Sequence, residues 1–202
     1  MKYLFINSAT TNLVVAIISS NKVLYLYDNN DSNDTSSKIM PVIFEAFNQS
    51  NLTPENIDKI FVVNGPGSFT GIRVGLTVAK IMAYSLNIPL ISLSSLELMA
   101  SGFDEDITSL IDARRGYVFA GKYDKELNAI YKDNYVLLDN LDLKGTIVSY
   151  DSFNFEVKNP KLDIVKIIKK HENDKPINPH ELKPNYLKLT EAEEKKLKNE
   201  QH

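Results

Sequence analysis

The chain has 202 residues, with 23 Lys and Arg against 26 Asp and Glu, so its formal net charge is −3. The length suits one domain or two small ones, and 43% hydrophobic with 24% charged residues is ordinary for a globular chain. Cys is absent, which excludes a disulfide framework, a thiolate metal site and a thiol nucleophile and fits a reducing cytosol, while the acidic balance argues against unaided, charge-driven binding to nucleic acid.

In chain order, Lys2 to Ile6 reads as a buried strand, Asn12 to Ile18 as a second and Val23 to Tyr27 as a third. Ser20-Asn21 suits a hairpin turn between the last two, and a polar loop follows from Asp28 to Ser37. A helix is expected from Ser37 to Gln49, with Pro41 in its first turn and an apolar stripe of Ile39, Met40, Ile43, Phe44 and Phe47. Lys59 to Val63 is a short buried strand, followed by a long helix from Phe69 to Leu86 with Ser68 as N-cap. Pro89 to Leu93 is another strand, and Ser94-Ser95 caps a short helix to Ala100. Past a break at Ser101 to Glu105 come Ile107 to Ile111, Tyr117 to Tyr123 and Ile130 to Leu138, which read as a meander. A fourth strand follows at Gly145 to Tyr150, then a short helix from Asp163 to Lys170 and a charged helix from Thr190 to Lys198. Three strands followed by alternating helices and strands make an α/β layout. We expect lobes at residues 1–102 and 103–202, with no internal sequence repeat. No apolar run approaches the roughly 20 residues of a membrane helix, and the strand directly after Met1-Lys2 does not read as a signal peptide.

Asn64-Gly65-Pro66-Gly67-Ser68-Phe69-Thr70-Gly71-Ile72-Arg73-Val74-Gly75 holds four of the eight glycines. It is a strand end, a tight turn and a helix start, where free N–H groups and the positive dipole end can hold an anion. A capped turn is the alternative on local physics. A Walker loop would need Lys after the last Gly of the turn, but Ile72 follows Gly71. A dinucleotide fingerprint would need an acidic residue after the next strand, where Ser94-Ser95 stand. Within the helix, Gly71, Gly75, Ala79 and Ala83 recur every four residues, a stripe that permits close helix approach. It is read either as packing on the chain's own sheet or as one face of a helix buried against a partner. Asn7-Ser8-Ala9-Thr10-Thr11 is a hairpin whose hydroxyls either close the turn or donate to an anion. Asp112-Ala113-Arg114-Arg115-Gly116 is either a turn with an internal ion pair or an anion or partner site. The three His, at 171, 180 and 202, have no metal-ligand spacing. Of the 23 cations only Arg73, Arg114 and Arg115 are Arg, and all three fall in these motifs.

Asn64 to Gly75 resembles the Gly-Pro-Gly-Ser-Phe-Thr-Gly-Leu/Ile-Arg signature of the bacterial TsaB family. Ile6 to Thr10, Ile88-Pro89-Leu90, Ser94-Ser95-Leu96, Asp112 to Arg115 and Pro184-Asn185-Tyr186-Leu187-Lys188 resemble that family's flanking motifs in the same order. The resemblance covers the first 120 residues well and the last 80 only at the short end motif. It implies an actin-like (ASKHA) α/β fold of two RNase H-like lobes, here with the second shortened. It also implies a non-catalytic scaffold or pseudoenzyme subunit in forming threonylcarbamoyladenosine beside the tRNA anticodon. Implied partners are a TsaD-like transferase and a TsaE-like ATPase, with a homodimer through the same helices as an alternative; tRNA is met indirectly, the location is cytoplasmic, and no cofactor, metal or membrane is involved. The partner-binding residues expected from the resemblance and the helix faces are Ile39, Met40, Ile43, Phe47, Gly71, Arg73, Gly75, Thr77, Ala79, Lys80 and Ala83. The anion or nucleotide candidates are Ser8, Thr10, Gly65, Gly67, Ser68 and Arg114. Asn7 stands where the family usually has Asp, and Thr35-Ser36-Ser37 replaces its usual His-Ser-Glu. The competing readings are an actin-like nucleotide phosphotransferase, disfavoured by Asn7, and a metalloprotease, disfavoured by the lack of a His-x-x-x-His motif.

Overall fold

The computed structural model describes residues 1–29 and 35–188. The expected helix from Thr190 to Lys198 and part of the loop after Asp28 lie outside the described residues.

Strands β1 (Lys2–Asn7), β2 (Leu13–Ser19), β3 (Lys22–Asn29), β4 (Lys59–Gly65) and β5 (Leu90–Ser94) form one sheet in the order β3-β2-β1-β4-β5. The first three are antiparallel and β4 and β5 run parallel to β1, the order of an RNase H-like lobe. Strands β1, β2 and β4 are apolar along nearly their whole length because both sheet faces are covered, whereas the edge strand β3 leaves Leu24 and Leu26 exposed. The β2–β3 hairpin turns at Ser20 and Asn21, both at positive φ, the geometry whose twist matches a two-residue connection.

Helices α1 (Thr35–Ser50) and α2 (Phe69–Leu86) pack against each other and on the sheet. Ile39, Val42, Ile43, Ala46 and Phe47 form the buried stripe of α1. The helix begins at Thr35 rather than Ser37, so Pro41 is an exposed interior residue rather than a first-turn one. Ser68 caps α2 by accepting from the Gly71 N–H at 3.2 Å, and Asn87 ends it in the left-handed conformation. Ser94 caps α3 (Ser95–Ala100), all six residues of which are buried.

A second sheet comprises β6 (Ile107–Arg114), β7 (Tyr117–Tyr123), β8 (Ala129–Leu137) and β9 (Thr146–Val148) in the order β8-β7-β6-β9. β6–β7 and β7–β8 are antiparallel, as the meander pattern anticipated, and β9 crosses over to pair parallel to β6. This repeats the order and sense of the first four strands of the first sheet, a structural repeat that leaves no trace in the residues. No α-helix joins β8 to β9, only a 3-10 turn at Leu138–Asn140. Leu141, Leu143, Phe153, Phe155 and Val157, from irregular segments, cover Leu110, Val118, Ala120 and Ile147 instead. The chain then returns to the first lobe. Helix α4 (Ile164–His171) buries Ile164, Ile167 and Ile168 in the main core. A terminal strap then donates from Ile177 N–H to the Leu90 carbonyl at 2.9 Å and from Asn185 N–H to the Asn64 carbonyl at 2.8 Å. The two sheets meet in the chain between Ala100 and Ile107, and residues 164–188 return to the first lobe while touching the second through Lys170 and Lys188.

Candidate functional site

The two sheets face each other across a cleft of about 610 Å³. Its first-lobe wall is the β1–β2 hairpin, the start of α1 and the N-terminus of α2; its second-lobe wall comes from β6, β7 and the segment at Tyr150 and Asp151. The glycine turn builds the first-lobe wall. Ser68 N–H donates to the Ala9 carbonyl at 2.8 Å. A Cβ on Gly67 would overlap that same carbonyl, and one on Gly65, at φ +120°, would overlap the Asn185 carbonyl. A Cβ on Gly71 would strike the Ser8 carbonyl, and one on Gly75 the Ser8 hydroxyl. The small stripe of α2 is thus what lets the helix lie directly on the hairpin.

This decides several candidates. Ser8, Thr10, Gly67, Ser68 and Arg114 line the cleft; Gly65 does not, being buried beneath the terminal strap. The hydroxyls of Ser8 and Thr10 already have partners. Ser8 Oγ, buried, donates to the Gly71 carbonyl at 2.7 Å. Thr10 Oγ1 accepts from Asn7 Nδ2 at 2.8 Å. Asn7 is fully buried, and its Oδ1 accepts from the Ala9 N–H, so its amide organises the hairpin. Ser68 is occupied as the cap. What remains for an anion is the Arg114 guanidinium with Thr11, one of the hairpin hydroxyls already considered, and with Thr35, Ser36 and Thr70, which were not among the expected candidates. On the far wall Asp112 accepts the Arg114 N–H at 2.8 Å, and Asp151 accepts the Asp112 N–H at 2.7 Å. The Asp-Ala-Arg segment is therefore a turn held by carboxylate-to-backbone bonds, with Arg114 and Arg115 at positive φ. Among the described residues no group of three or more His, Asp or Glu is placed to hold a metal ion.

The partner residues need a correction. Ile39, Ile43, Phe47, Gly71, Gly75, Ala79 and Ala83 are all buried within the chain, so the small-residue stripe packs on the chain's own hairpin and sheet, not on a partner. Lys80 is half-buried and donates to the Leu182 carbonyl at 3.1 Å. Met40, Arg73 and Thr77 are exposed. Beside them are exposed apolar side chains missing from the expected set: Phe44 at 69%, Ile81 at 60% and Tyr84 at 66%. Helical periodicity could have found Ile81 and Tyr84, since both lie away from the Gly71–Ala83 stripe.

A second cluster was not anticipated. Glu97 of α3, almost fully buried, faces His171 Nε2 at 2.9 Å and Lys170 Nζ at 3.6 Å, and His171 Nδ1 meets Asp174 at 2.6 Å. Burial alone would lower the His171 pKa. The hydrogen bonds and charges of Glu97 and Asp174 outweigh it, and the pKa is raised. Nearby, Asp133 of β8 accepts from Ser94 Oγ across the lobe boundary and from the Tyr123 hydroxyl of its own sheet. Burial raises its pKa against the pull of those two bonds, with the Glu97 charge adding to the rise. Tyr123 is also raised, by burial first and then by Asp133.

The family model for TsaD, tRNA N6-adenosine threonylcarbamoyltransferase, matches residues 30–145. Over 144 residues the chain is 35% identical to the tRNA threonylcarbamoyladenosine biosynthesis protein TsaB of Bacillus subtilis, covering 68% of this chain and 63% of that protein. The chain belongs to the TsaB family. The Escherichia coli TsaB is 29% identical over 136 residues, 65% of this chain and 58% of that protein. These alignments thus span about three fifths of the relatives' length. A solved YeaZ from Pseudomonas aeruginosa superposes with a TM-score of 0.78 at 16% identity, covering 92% of this chain and 99% of that one. The fold of two sheets described above is therefore shared with that neighbour. No helix among the described residues is long and apolar enough to cross a membrane.

Proposed function

We propose that this protein is the non-catalytic partner subunit of a TsaD-like transferase in cytoplasmic formation of tRNA threonylcarbamoyladenosine, and that it docks through the outer surface of α1 and α2. The observation that carries this reading is the apolar surface of Met40, Phe44, Ile81 and Tyr84 on two helices packed side by side. Exposed large apolar groups gathered on one face mark an interaction surface. Arg73 and Thr77 give it a polar border. A TsaE-like ATPase joins the resulting pair, and a second copy of this chain is the competing occupant of the same face. The non-catalytic reading is supported by the hairpin. Asn7 puts a neutral amide where a hard cation would need a carboxylate; it closes the hairpin through Thr10 and Ala9, and the Ser8 hydroxyl is taken up by the Gly71 carbonyl of α2.

Co-purification with a TsaD-like transferase tests this. Ile81→Glu places a charge in the centre of the face and should weaken pairing by at least about 30-fold, a hot-spot loss of about 2 kcal/mol. Unchanged pairing, or turnover of magnesium-ATP by the isolated chain, would contradict the proposal.

A further inference from the structure

The aromatic side chains at the mouth of the cleft are not accounted for by partner docking. Phe69, 54% exposed at the start of α2, has the Arg73 guanidinium 3.7 Å over its ring and Tyr186 of the terminal strap stacked at 5.1 Å with an interplanar angle of 20°. Arg73 Nε also donates to the Tyr186 hydroxyl at 2.9 Å. Two residues on, Lys188 Nζ lies 5.5 Å over Tyr135 of the second lobe, which stacks on Tyr117 at 4.7 Å and 10°. The strap thus touches two stacked aromatic pairs, one on each lobe, beside a cleft that Phe69 and Arg114 line, and three exposed cations, Arg73, Arg114 and Lys188, lie among them.

A surface that alternates aromatic faces with cations has the chemistry to hold unpaired nucleotides. Bases stack on rings and on guanidinium planes, and the cations meet the phosphates between them. A duplex, whose bases are already paired and stacked, would find no free base to place on these rings. Charge alone does not account for it, because the chain is acidic overall and Asp112 and Asp151 line the same cleft. We propose that this surface binds a short single-stranded segment of RNA, so that the subunit touches the RNA substrate directly instead of meeting it only through its partner. The choice of RNA over another polyanion rests on the tRNA-modification reading above.

The test is fluorescence anisotropy of the full chain with a labelled unstructured RNA dodecamer, a duplex RNA of the same length and inorganic polyphosphate as competitor. The single strand should bind at least 10-fold more tightly than the duplex and resist competition by polyphosphate. Phe69→Leu and Tyr135→Leu should each weaken it by about 10-fold, the loss of one base stack. Arg114→Ala, whose side chain lines the cleft, should lower the slope of log affinity against log salt, which three phosphate contacts would set near about −2. Equal binding of duplex and single strand, displacement by polyphosphate, or wild-type affinity in the Phe69→Leu/Tyr135→Leu double variant with an unchanged melting temperature would overturn the proposal. The two readings fail separately. A chain that pairs with the transferase yet binds no RNA refutes only the RNA surface. A chain that binds RNA through these rings, in cells whose threonylcarbamoyladenosine survives its deletion, refutes only the assigned pathway.

Discussion

Replacing Gly71 by Ala separates two effects of opposite sign. Gly71 lies in the first turn of an 18-residue helix, so helix propensity alone predicts a gain of about 1 kcal/mol on substitution. The added methyl, however, would overlap the Ser8 carbonyl oxygen and lie 3.1 Å from its carbon, and these are backbone atoms of a hairpin fixed by Asn7 and Ser68. Overpacking against such a neighbour costs about 3 kcal/mol. It also strains the Ser8 bond to the Gly71 carbonyl, about a further 1 kcal/mol. The net expectation is a loss of about 3 kcal/mol, which for a chain of this size lowers the melting temperature by roughly 6–12 °C. Gly75 gives an internal comparison, since its added methyl meets only the Ser8 hydroxyl, with the Ser8 Cβ at an ordinary 3.6 Å. Gly75→Ala should therefore be costly in the native background and nearly neutral once Ser8→Ala has removed that oxygen, a positive coupling in a double-mutant cycle. Urea and thermal unfolding of the four chains are the assay. A Gly71→Ala protein as stable as wild type, or more so, would refute the account of why the small stripe exists.

Other expectations follow from single contacts. His171 has carboxylates on both ring nitrogens and a raised folded pKa, so its contribution is fully present below its unfolded value near 6.5 and is lost as pH rises through the folded value. Stability of wild type relative to His171→Gln should fall on going from pH 6 to pH 9, and an NMR titration placing the His171 pKa below 6.5 would contradict this. Arg73→Lys keeps the charge but loses the ring stacking and the bond to Tyr186, so about 1 kcal/mol should be lost. Arg114→Lys leaves the turn's backbone bonds intact and should not alter the melting temperature. Ile81→Glu, on an exposed helical face, should change stability by no more than about 0.5 kcal/mol, so any loss of pairing is a loss of contact.

Much of the fold was legible because its signals are local. Unbroken apolar runs gave β1, β2 and β4, and Ser68 and Ser94 were readable as caps from the hydroxyls that precede apolar periodicity. Pro41 was misplaced because the helix extends back to Thr35, where no apolar residue marks its start. The crossover of β9 to β6 was not legible, since nothing in Thr146–Val148 records which edge the strand joins. The candidate site divides in the same way. The glycine motif correctly marked a close backbone approach, but the identity of the approaching group, the Ser8 hairpin, depends on a contact across 63 residues. The same limitation left the Gly71–Ala83 stripe open between the chain's own sheet and a partner and kept Phe44, read as part of the α1 apolar stripe, out of the expected partner set, because one sequence shows the faces of a helix without showing which is already covered. The Glu97–His171–Asp174 cluster and the Asp133–Tyr123–Ser94 contact have no sequence signal at all, as each joins distant elements through isolated polar residues. Arg73 stacks over Phe69 and bonds to Tyr186, and Arg114 lines the cleft, two places where a planar fork can stack or bond.

The central claim is that the outer face of α1 and α2 pairs this chain with a TsaD-like transferase. Isothermal titration of that transferase with wild-type protein and with the Phe44→Glu and Ile81→Glu variants tests it most directly. The account predicts one-to-one binding by wild type and at least about 30-fold weaker binding by each variant at an unchanged melting temperature. Equal affinity for all three proteins would contradict it.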